Sequence, residues 1–417
     1  MIALIDANSY YCSAESVYNP KLRGKPLIIL SNNDGCVVAA NRLALSLGVK
    51  KFEPYFKLKS LCELKGIVAK SSNYELYADL SSKMMDVISR FGPDQNVYSI
   101  DESFLSFRRA FPAIPCLTTH LHNLRKTVWK ECRIPVSAGA GKTITLSKIA
   151  SHAAKNLGYN GVCVLEDQEE IDSVLKQIPV GKTWGVGRQL SSRMFSMGIN
   201  TAYDLANTPI KQIERNFSVD IVRTVMELRG QECFHYDGVR FAKKQIYSTC
   251  SVSERITDLI SLEQALTKHA CIAVKKARNQ GSLVKVVQFF SASSPFDTDH
   301  RSFRFLHEFD YATNDSLVLS QIATQAAKSM FKPGVRYYKI GVGLINLISE
   351  EHYQNDLFNP VPVNDKLMKT FDALNTKYGA DALFVASQGI DQKWAMKRNM
   401  LSPCYTTRWR DIPKIRC

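Results

Sequence analysis

The sequence predicts a multidomain α+β protein, on three observations. Its 417 residues are more than one compact core holds, so two to four domains are expected. Short apolar runs closed by polar or turn residues, such as 2–5 before Asp6 and 27–30 before Ser31, read as buried strands. These are interleaved with longer stretches of helical period, at 77–91, 118–132 and 144–156, so strands and helices share layers.

Taken in order, residues 1 to about 20 give one strand and the start of a helix. Pro20-Lys21-Leu22-Arg23-Gly24-Lys25-Pro26 opens a second segment, reaching to about residue 74. It holds the strand Leu27-Ile28-Ile29-Leu30, the turn Asn32-Asn33-Asp34-Gly35, and a stretch at 37–47 that reads as helix ended by Gly48. The segment is basic, with Lys50, Lys51, Lys57, Lys59, Lys65 and Lys70. An amphipathic helix at 77–91 is followed by a hairpin carrying Asp101 and Glu102. A helix at 118–132, a strand and loop at 136–141, and a helix at 144–156 complete the first part. Residues 166 to about 235 read as helical. From 240 to about 345 the character changes: Lys285-Val286-Val287-Gln288-Phe289-Phe290 and Tyr338-Lys339-Ile340-Gly341-Val342-Gly343-Leu344 read as strands, with helices near 262–279 and 315–330. A tail follows residue 346.

Charge narrows the function class. Lys and Arg number 54 against 39 acidic residues, a formal +15, which in a soluble chain points to a polyanionic partner. Residues 240–345 alone carry 15 Lys or Arg against 8 Asp or Glu. The 11 cysteines are scattered without a Cys-x-x-Cys pair, which argues against a disulfide framework or a zinc site and fits a reducing cytosol. The N-terminus lacks a basic segment followed by a long apolar one, so no signal peptide is expected. No apolar run approaches ~20 residues, so neither is a membrane span, and a cytoplasmic protein is expected.

The most informative stretch is Tyr98-Ser99-Ile100-Asp101-Glu102-Ser103-Phe104. Neighbours on a strand point to opposite faces, so Asp101 and Glu102 converge only where a tight turn re-aims them. An Asp-Glu pair alone is commonplace on surfaces. Asp6, closing a buried strand, is the stronger signal, because a charge there needs a reason. Three carboxylates brought together repel unless cations lie between them, and Mg²⁺ is the natural choice among hard, oxygen-seeking ions. Two such ions about 4 Å apart can clamp the attacking and leaving oxygens of a phosphoryl transfer. Gly141-Lys142-Thr143 is not a P-loop, since Val136 stands where the motif requires glycine. Trp184-Gly185-Val186-Gly187-Arg188, between Ile178-Pro179-Val180 and Met197-Gly198-Ile199, resembles a helix-hairpin-helix element. Its glycines would let backbone N–H groups approach phosphates regardless of base sequence.

Four motifs carry a family resemblance: the run from Asp6 through Tyr10, Tyr11 and Cys12 to Glu15, Ser31-Asn32-Asn33-Asp34-Gly35-Cys36-Val37-Val38, Ser71-Ser72-Asn73-Tyr74-Glu75-Leu76-Tyr77, and Tyr98 to Phe104. Together, collinear and spread over essentially the whole chain, they resemble Y-family translesion DNA polymerases, most closely the UmuC branch, the catalytic subunits of bacterial DNA polymerase V. The resemblance implies a right-hand fold: palm at 1–20 and 75–165, small fingers at 21–74, a helical thumb with the helix-hairpin-helix at 166–239, a little finger at 240–346, and a C-terminal extension at 347–417. It implies error-prone transfer of dNMP from dNTP to a primer 3′-hydroxyl on damaged template, within the SOS response.

The resemblance also implies roles. Asp6, Asp101, Glu102 and the carbonyl of Ala7 would hold two Mg²⁺ ions. Tyr11 matches the steric gate that excludes ribonucleotides, and Tyr10 and Lys155 match triphosphate contacts. Many members carry a Tyr and an Arg one turn apart in the fingers. Here Arg42 stands at the first of those positions and Leu45 at the second, so the charge is assigned to Arg42. Gly185, Gly187, Lys243 and Lys244 would contact DNA. Gln354-Asn355-Asp356-Leu357-Phe358 resembles the peptide that docks bacterial polymerases on the sliding clamp, with Gln354, Leu357 and Phe358 as anchors. Primer-template DNA, dNTP, a processed UmuD-like dimer and a RecA filament are the further partners implied. A stand-alone DinB-type polymerase and a non-catalytic DNA-binding protein on the same fold stay open as alternatives.

Overall fold

The computed structural model describes the chain except residues 109, 111–112, 236–241, 355–364, 380 and 415–417. It contains two compact units: residues 1–238 with 398–417, and residues 239–397.

In chain order, the first unit holds β1 (Ile2–Ala7), α1 (Tyr10–Tyr18), β2 (Leu27–Leu30), β3 (Val37–Ala40), α2 (Arg42–Ser46), α3 (Tyr55–Lys65), β4 (Val68–Ser71), α4 (Tyr74–Ser89), β5 (Asp94–Val97), β6 (Glu102–Ser106), α5 (Leu117–Cys132), β7 (Val136–Gly141), α6 (Ile144–Asn156), β8 (Val162–Val164), α7 (Gln168–Gln177), α8 (Arg188–Ser196), α9 (Ala202–Asn207), α10 (Ile210–Asn216) and α11 (Val219–Leu228). Its main sheet has the order β5-β6-β1-β7-β8, antiparallel except for the parallel β7–β8 pair. A smaller sheet, β3-β2-β4, has its own core with Val49, Leu58 and Cys62.

Alternation along β1 sets the two faces of the main sheet. Ala3, Ile5 and Ala7 join the core beneath α4 and α5, with Leu76, Met84, Leu121 and Val128. Ile2 and Leu4 point the other way, against Phe104 and Ile144, and Asp6 follows them on that face. The register pairs Leu4 with Phe104 and Gly139, and Ile2 with Gly141. Those glycines clear the sheet for α6: a Cβ on Gly139 would lie 1.9 Å from the Ser151 backbone nitrogen. The Gly-Ala-Gly of β7 therefore serves helix–sheet contact.

Two helix readings shift. Residues 37–47, expected as one helix, divide into β3 and the short α2. β-branched Val37 and Val38 favour the strand, and Asn41 starts α2 by accepting the Ala44 N–H on its side chain. The helix expected from residue 77 begins at Tyr74, because Asn73 accepts the Leu76 N–H.

The second unit holds β9 (Ile246–Ile256), α12 (Leu259–Asn279), β10 (Ser282–Ala292), β11 (Ser302–Thr313), α13 (Ser316–Met330), β12 (Tyr337–Ser349) and α14 (Asp365–Tyr378). Its sheet runs β11-β10-β12-β9, all antiparallel, with α12 and α13 packed on it. The strands at 246–256 and 302–313 lie beyond those read from the sequence, and β12 extends past the expected strand to Ser349. Of the described residues after β12, those up to 397 pack with this unit and 398–414 with the first.

His269 on α12 predicts an acid-labile second unit. Its ring hydrogen-bonds Ser248 Oγ at 2.8 Å and Cys250 Sγ at 3.0 Å. Burial, aided by Lys268 and Lys276, pushes its pKa down to about 4 from 6.5. The fold holds the neutral ring, whereas the unfolded chain takes the proton, so stability is complete above pH 6.5 and falls as pH drops toward 4. The loss is expected to reach up to about 3 kcal/mol. Denaturant unfolding from pH 7 to 4 checks this. His269→Gln should flatten the curve, and an equally steep curve in that variant would remove His269 as its cause.

Candidate active site

Asp6 stands opposite Glu102 in the β1–β6 register, so the two side chains share a face. The turn between β5 and β6 is held tightly. Tyr98 and Ser99 N–H groups donate to the Glu102 carbonyl at 3.0 and 3.1 Å, and Ser81 Oγ donates to the Ile100 carbonyl at 2.6 Å. Ser99 Oγ donates to Asp101 Oδ1 at 2.6 Å and lies 3.2 and 3.1 Å from the backbone N–H groups of Asp101 and Glu102. Ala7 N–H donates to the Asp101 carbonyl at 2.9 Å, tying β1 to the turn. The local sequence therefore brings Asp6, Ala7, Asp101 and Glu102 to one end of the sheet.

The charge there is balanced by α6. Lys155 Nζ lies 2.5 Å from Asp6 Oδ2, and Lys148 Nζ lies 3.0 Å from Glu102 Oε1. Burial pushes the Asp6 carboxyl above its ordinary value; Lys155 opposes the shift, and Glu102 and Asp101 add to it. Among the described residues, no three His, Cys, Asp or Glu side chains converge tightly enough to hold a metal ion as they stand. The expected cation positions beside Asp6 and Glu102 carry ammonium groups instead. The donor set, three carboxylates and a backbone carbonyl without thiolate or imidazole, nevertheless fits a hard divalent cation, for which the two ammonium groups are stand-ins.

Lys148 and Lys155, with Leu4, Asp6, Glu102, Trp184 and others, line one open cleft of about 220 Å³. His152 also lines it. Burial, then the charges of Lys182 and Lys155, hold that imidazole below its usual range. Lys148 was absent from the sequence-derived site. Its ammonium sits 4.5 Å from the Tyr98 ring centroid, 5.5 Å from Phe104 and 5.6 Å from Trp184. The available signal was its spacing: Lys148 is two helical turns before Lys155, hence on the same face.

Tyr11 is half-buried and stacks on Tyr77 at 4.6 Å and 17°, with Tyr74 edge-on at 6.1 Å. Burial, then Tyr74 and Asp101, push its hydroxyl pKa up, so it remains protonated. Tyr10 is buried, its hydroxyl donating to the Tyr77 carbonyl at 2.5 Å. Arg42, exposed at the start of α2, donates through Nη2 to the Lys155 carbonyl at 2.8 Å. The structure thus joins Arg42 and Lys155, which lie 113 residues apart.

The remaining predicted residues lie elsewhere. Gly185 takes φ +85°, which requires glycine, and Gly187 precedes α8 without a capping side chain. Lys243 and Lys244 belong to the second unit and are exposed; the Lys243 backbone exchanges hydrogen bonds with the Gln280 side chain. Gln354 is exposed, while Leu357 and Phe358 fall outside the described residues. Among the described residues, no helix is long and apolar enough to cross a membrane.

The chain is similar to known proteins along its length. Residues 5–152 match the impB/mucB/samB family and 243–357 match its C-terminal domain, while 365–415 match a domain of unknown function. The chain is 38% identical to Protein UmuC of Salmonella typhimurium over the full length of both. It is 37% identical to Protein MucB of Escherichia coli over 99% of each, and 25% identical to DNA polymerase IV of Corynebacterium diphtheriae over 87% of this chain and 79% of that one. Among solved structures, a Y-family DNA polymerase chimera superposes with TM-score 0.65 at 19% identity, covering 84% of this chain and all of that one. An insertion ternary complex of Dbh DNA polymerase, with the same identity and coverage, gives 0.53. By fold and by similarity along its whole length, the chain belongs to the impB/mucB/samB family of Y-family DNA polymerases.

Proposed function

We propose that the protein carries out error-prone, template-directed DNA synthesis across damaged template, as the UmuC-type subunit of a larger assembly. The observation that carries this reading is the meeting of Asp6 and Glu102 with the α6 lysines at one cleft, with Asp101 on the turn tied to β1 through the Ala7 N–H. The domain assignment follows: palm at 1–20 and 75–165, fingers at 21–74, thumb at 166–239, little finger at 240–346, extension at 347–417.

Asp6 and Asp101 would each serve both Mg²⁺ ions, with Glu102 on one and the Ala7 carbonyl on the other. When bound, the ions supply Lewis-acid stabilisation of the attacking 3′-oxygen and the leaving pyrophosphate. The protein's own part is positioning. Lys155 Nζ, paired with Asp6 here, would donate to the triphosphate, with Arg42 and the Tyr10 N–H as further donors. Tyr11 lies under the sugar; Tyr77, stacked behind it, keeps the ring from retreating to admit a 2′-hydroxyl. The N–H groups around Gly185 and Gly187, and the ammonium groups of Lys243 and Lys244, hold DNA phosphates. Whole-chain similarity to Protein UmuC supports a processed UmuD-like dimer as partner; a RecA filament and the sliding clamp are further partners in this reading, the clamp through Gln354, Leu357 and Phe358.

Tyr11→Ala tests the reading. Ribonucleotide incorporation relative to the matching dNTP is expected to rise by roughly ten- to a hundredfold, with dNTP turnover largely kept. Unchanged discrimination in steady-state incorporation would remove Tyr11 as the gate.

A further inference from the structure

Residues 398–414 follow the second unit yet belong to the first, within the stretch matched only to a domain of unknown function. A series of specific contacts fixes them along the small sheet and the first turn of α4. Asn399 N–H donates to Asp34 Oδ2 at 2.9 Å. Ser71 N–H donates to the Met400 carbonyl at 3.1 Å, and Met400 N–H to Ser71 Oγ at 2.9 Å. Arg398 pairs with Glu75 at 3.1 Å, Tyr405 stacks on Tyr18 at 5.1 Å, and Thr406 Oγ1 donates to Asp79 at 2.5 Å.

Ser402 is the centre of this run and is 4% exposed. Its hydroxyl donates to Glu15 Oε1 at 3.0 Å, and its Oγ accepts from Asn73 Nδ2 at 2.9 Å. Glu15 is itself 1% exposed, and the same Oε1 accepts the Tyr77 hydroxyl at 2.8 Å. A buried carboxylate needs its donors, because losing one leaves charge without compensation. Asn73 starts α4, and the turn it starts carries both Tyr74 and Tyr77, the rings that touch Tyr11. The tail therefore reaches that turn three times, through the Arg398–Glu75 pair, through the Asn73 amide and through Glu15 to the Tyr77 hydroxyl.

We propose that residues 398–406 form a clasp that sets the position of the Tyr77–Tyr11 stack, with Ser402 as the positioning residue, so that this C-terminal segment governs sugar selection. The proposal rests on Tyr11 being the steric gate. Without the Ser402 hydroxyl, Glu15 keeps one donor and Asn73 loses its nearest acceptor in the tail. The first turn of α4 then loosens, Tyr77 backs away, and Tyr11 gains room to tilt from a 2′-hydroxyl.

The test uses the full chain in the assembly that supports primer extension. Incorporation of a dNTP and its matching rNTP is measured as kcat/KM for the natural chain, Ser402→Ala, Ser402→Thr, Tyr77→Phe and Tyr11→Ala, with thermal unfolding in parallel. Ser402→Ala is expected to raise the rNTP/dNTP ratio about three- to tenfold, the range a single lost hydrogen bond gives. Ser402→Thr, which keeps the hydroxyl, should restore the ratio. Tyr77→Phe, which removes the bond to Glu15 from the other side while keeping the ring, should reproduce the rise and carries the test if Ser402→Ala fails to fold. A merely structural tail would lower turnover with both sugars equally and leave the ratio unmoved. A natural ratio in Ser402→Ala and Tyr77→Phe, with a raised one in Tyr11→Ala, overturns the clasp and leaves the gate standing. A natural ratio in Tyr11→Ala overturns the gate and the clasp with it.

Discussion

Asp101→Asn is expected to lower primer extension by at least about 10²–10³-fold, the order seen when one preorganised electrostatic group is removed from a reacting centre. The substitution keeps shape and an acceptor oxygen. The Ser99 hydroxyl can still donate to the side chain, and the Ala7 N–H still donates to the residue 101 carbonyl. The turn should therefore persist, and only the negative charge is lost. Primer-template affinity, measured by fluorescence anisotropy, should stay within about threefold, because phosphate contacts by basic residues dominate binding. Extension within tenfold of the natural chain would exclude Asp101 as a cation ligand.

Glu227→Ala is expected to cost about 3–5 kcal/mol of stability, the range for breaking a buried charged network. Glu227 sits on α11 and is fully buried. Its Oε2 accepts the Thr145 N–H at 2.8 Å, at the start of α6, and its Oε1 accepts the Cys233 and Phe234 N–H groups, each at 3.0 Å. The carboxylate thus satisfies three backbone donors and meets the positive end of α6. Alanine leaves those donors unpaired beside a cavity. Because α6 carries Lys148 and Lys155, the loss should also lower activity of the molecules that remain folded. Urea unfolding checks the first effect; a change below about 1 kcal/mol would show that water or another group replaces the carboxylate.

The site was legible wherever chemistry and local pattern coincide. Asp6 closing an apolar strand and the Asp-Glu pair at a turn are charges in places that demand partners, and the structure puts them on adjacent strands. The helix at 144–156 was legible to its ends, since Thr143 caps it by accepting the Leu146 N–H. The run at 37–47 was misread because a short apolar stretch has no period long enough to separate strand from helix. The strand at 302–313 was missed although its side chains alternate in exposure, since aromatic and charged residues share it. Lys148, the Tyr77–Glu15–Ser402 chain and the Glu227 cap are long-range pairings. Glu15 and Ser402 lie 387 residues apart, and no local pattern encodes such a meeting.

The central claim is decided by nucleotide incorporation opposite an abasic site with Mg²⁺ and dNTPs, comparing the natural chain with Asp101→Asn, each with and without a UmuD-like dimer and RecA filament. A translesion polymerase built on this site predicts extension past the lesion by the natural chain in at least one of those conditions, and none by the variant. Full DNA binding with no extension under any condition would contradict it and leave a DNA-binding protein on a polymerase fold.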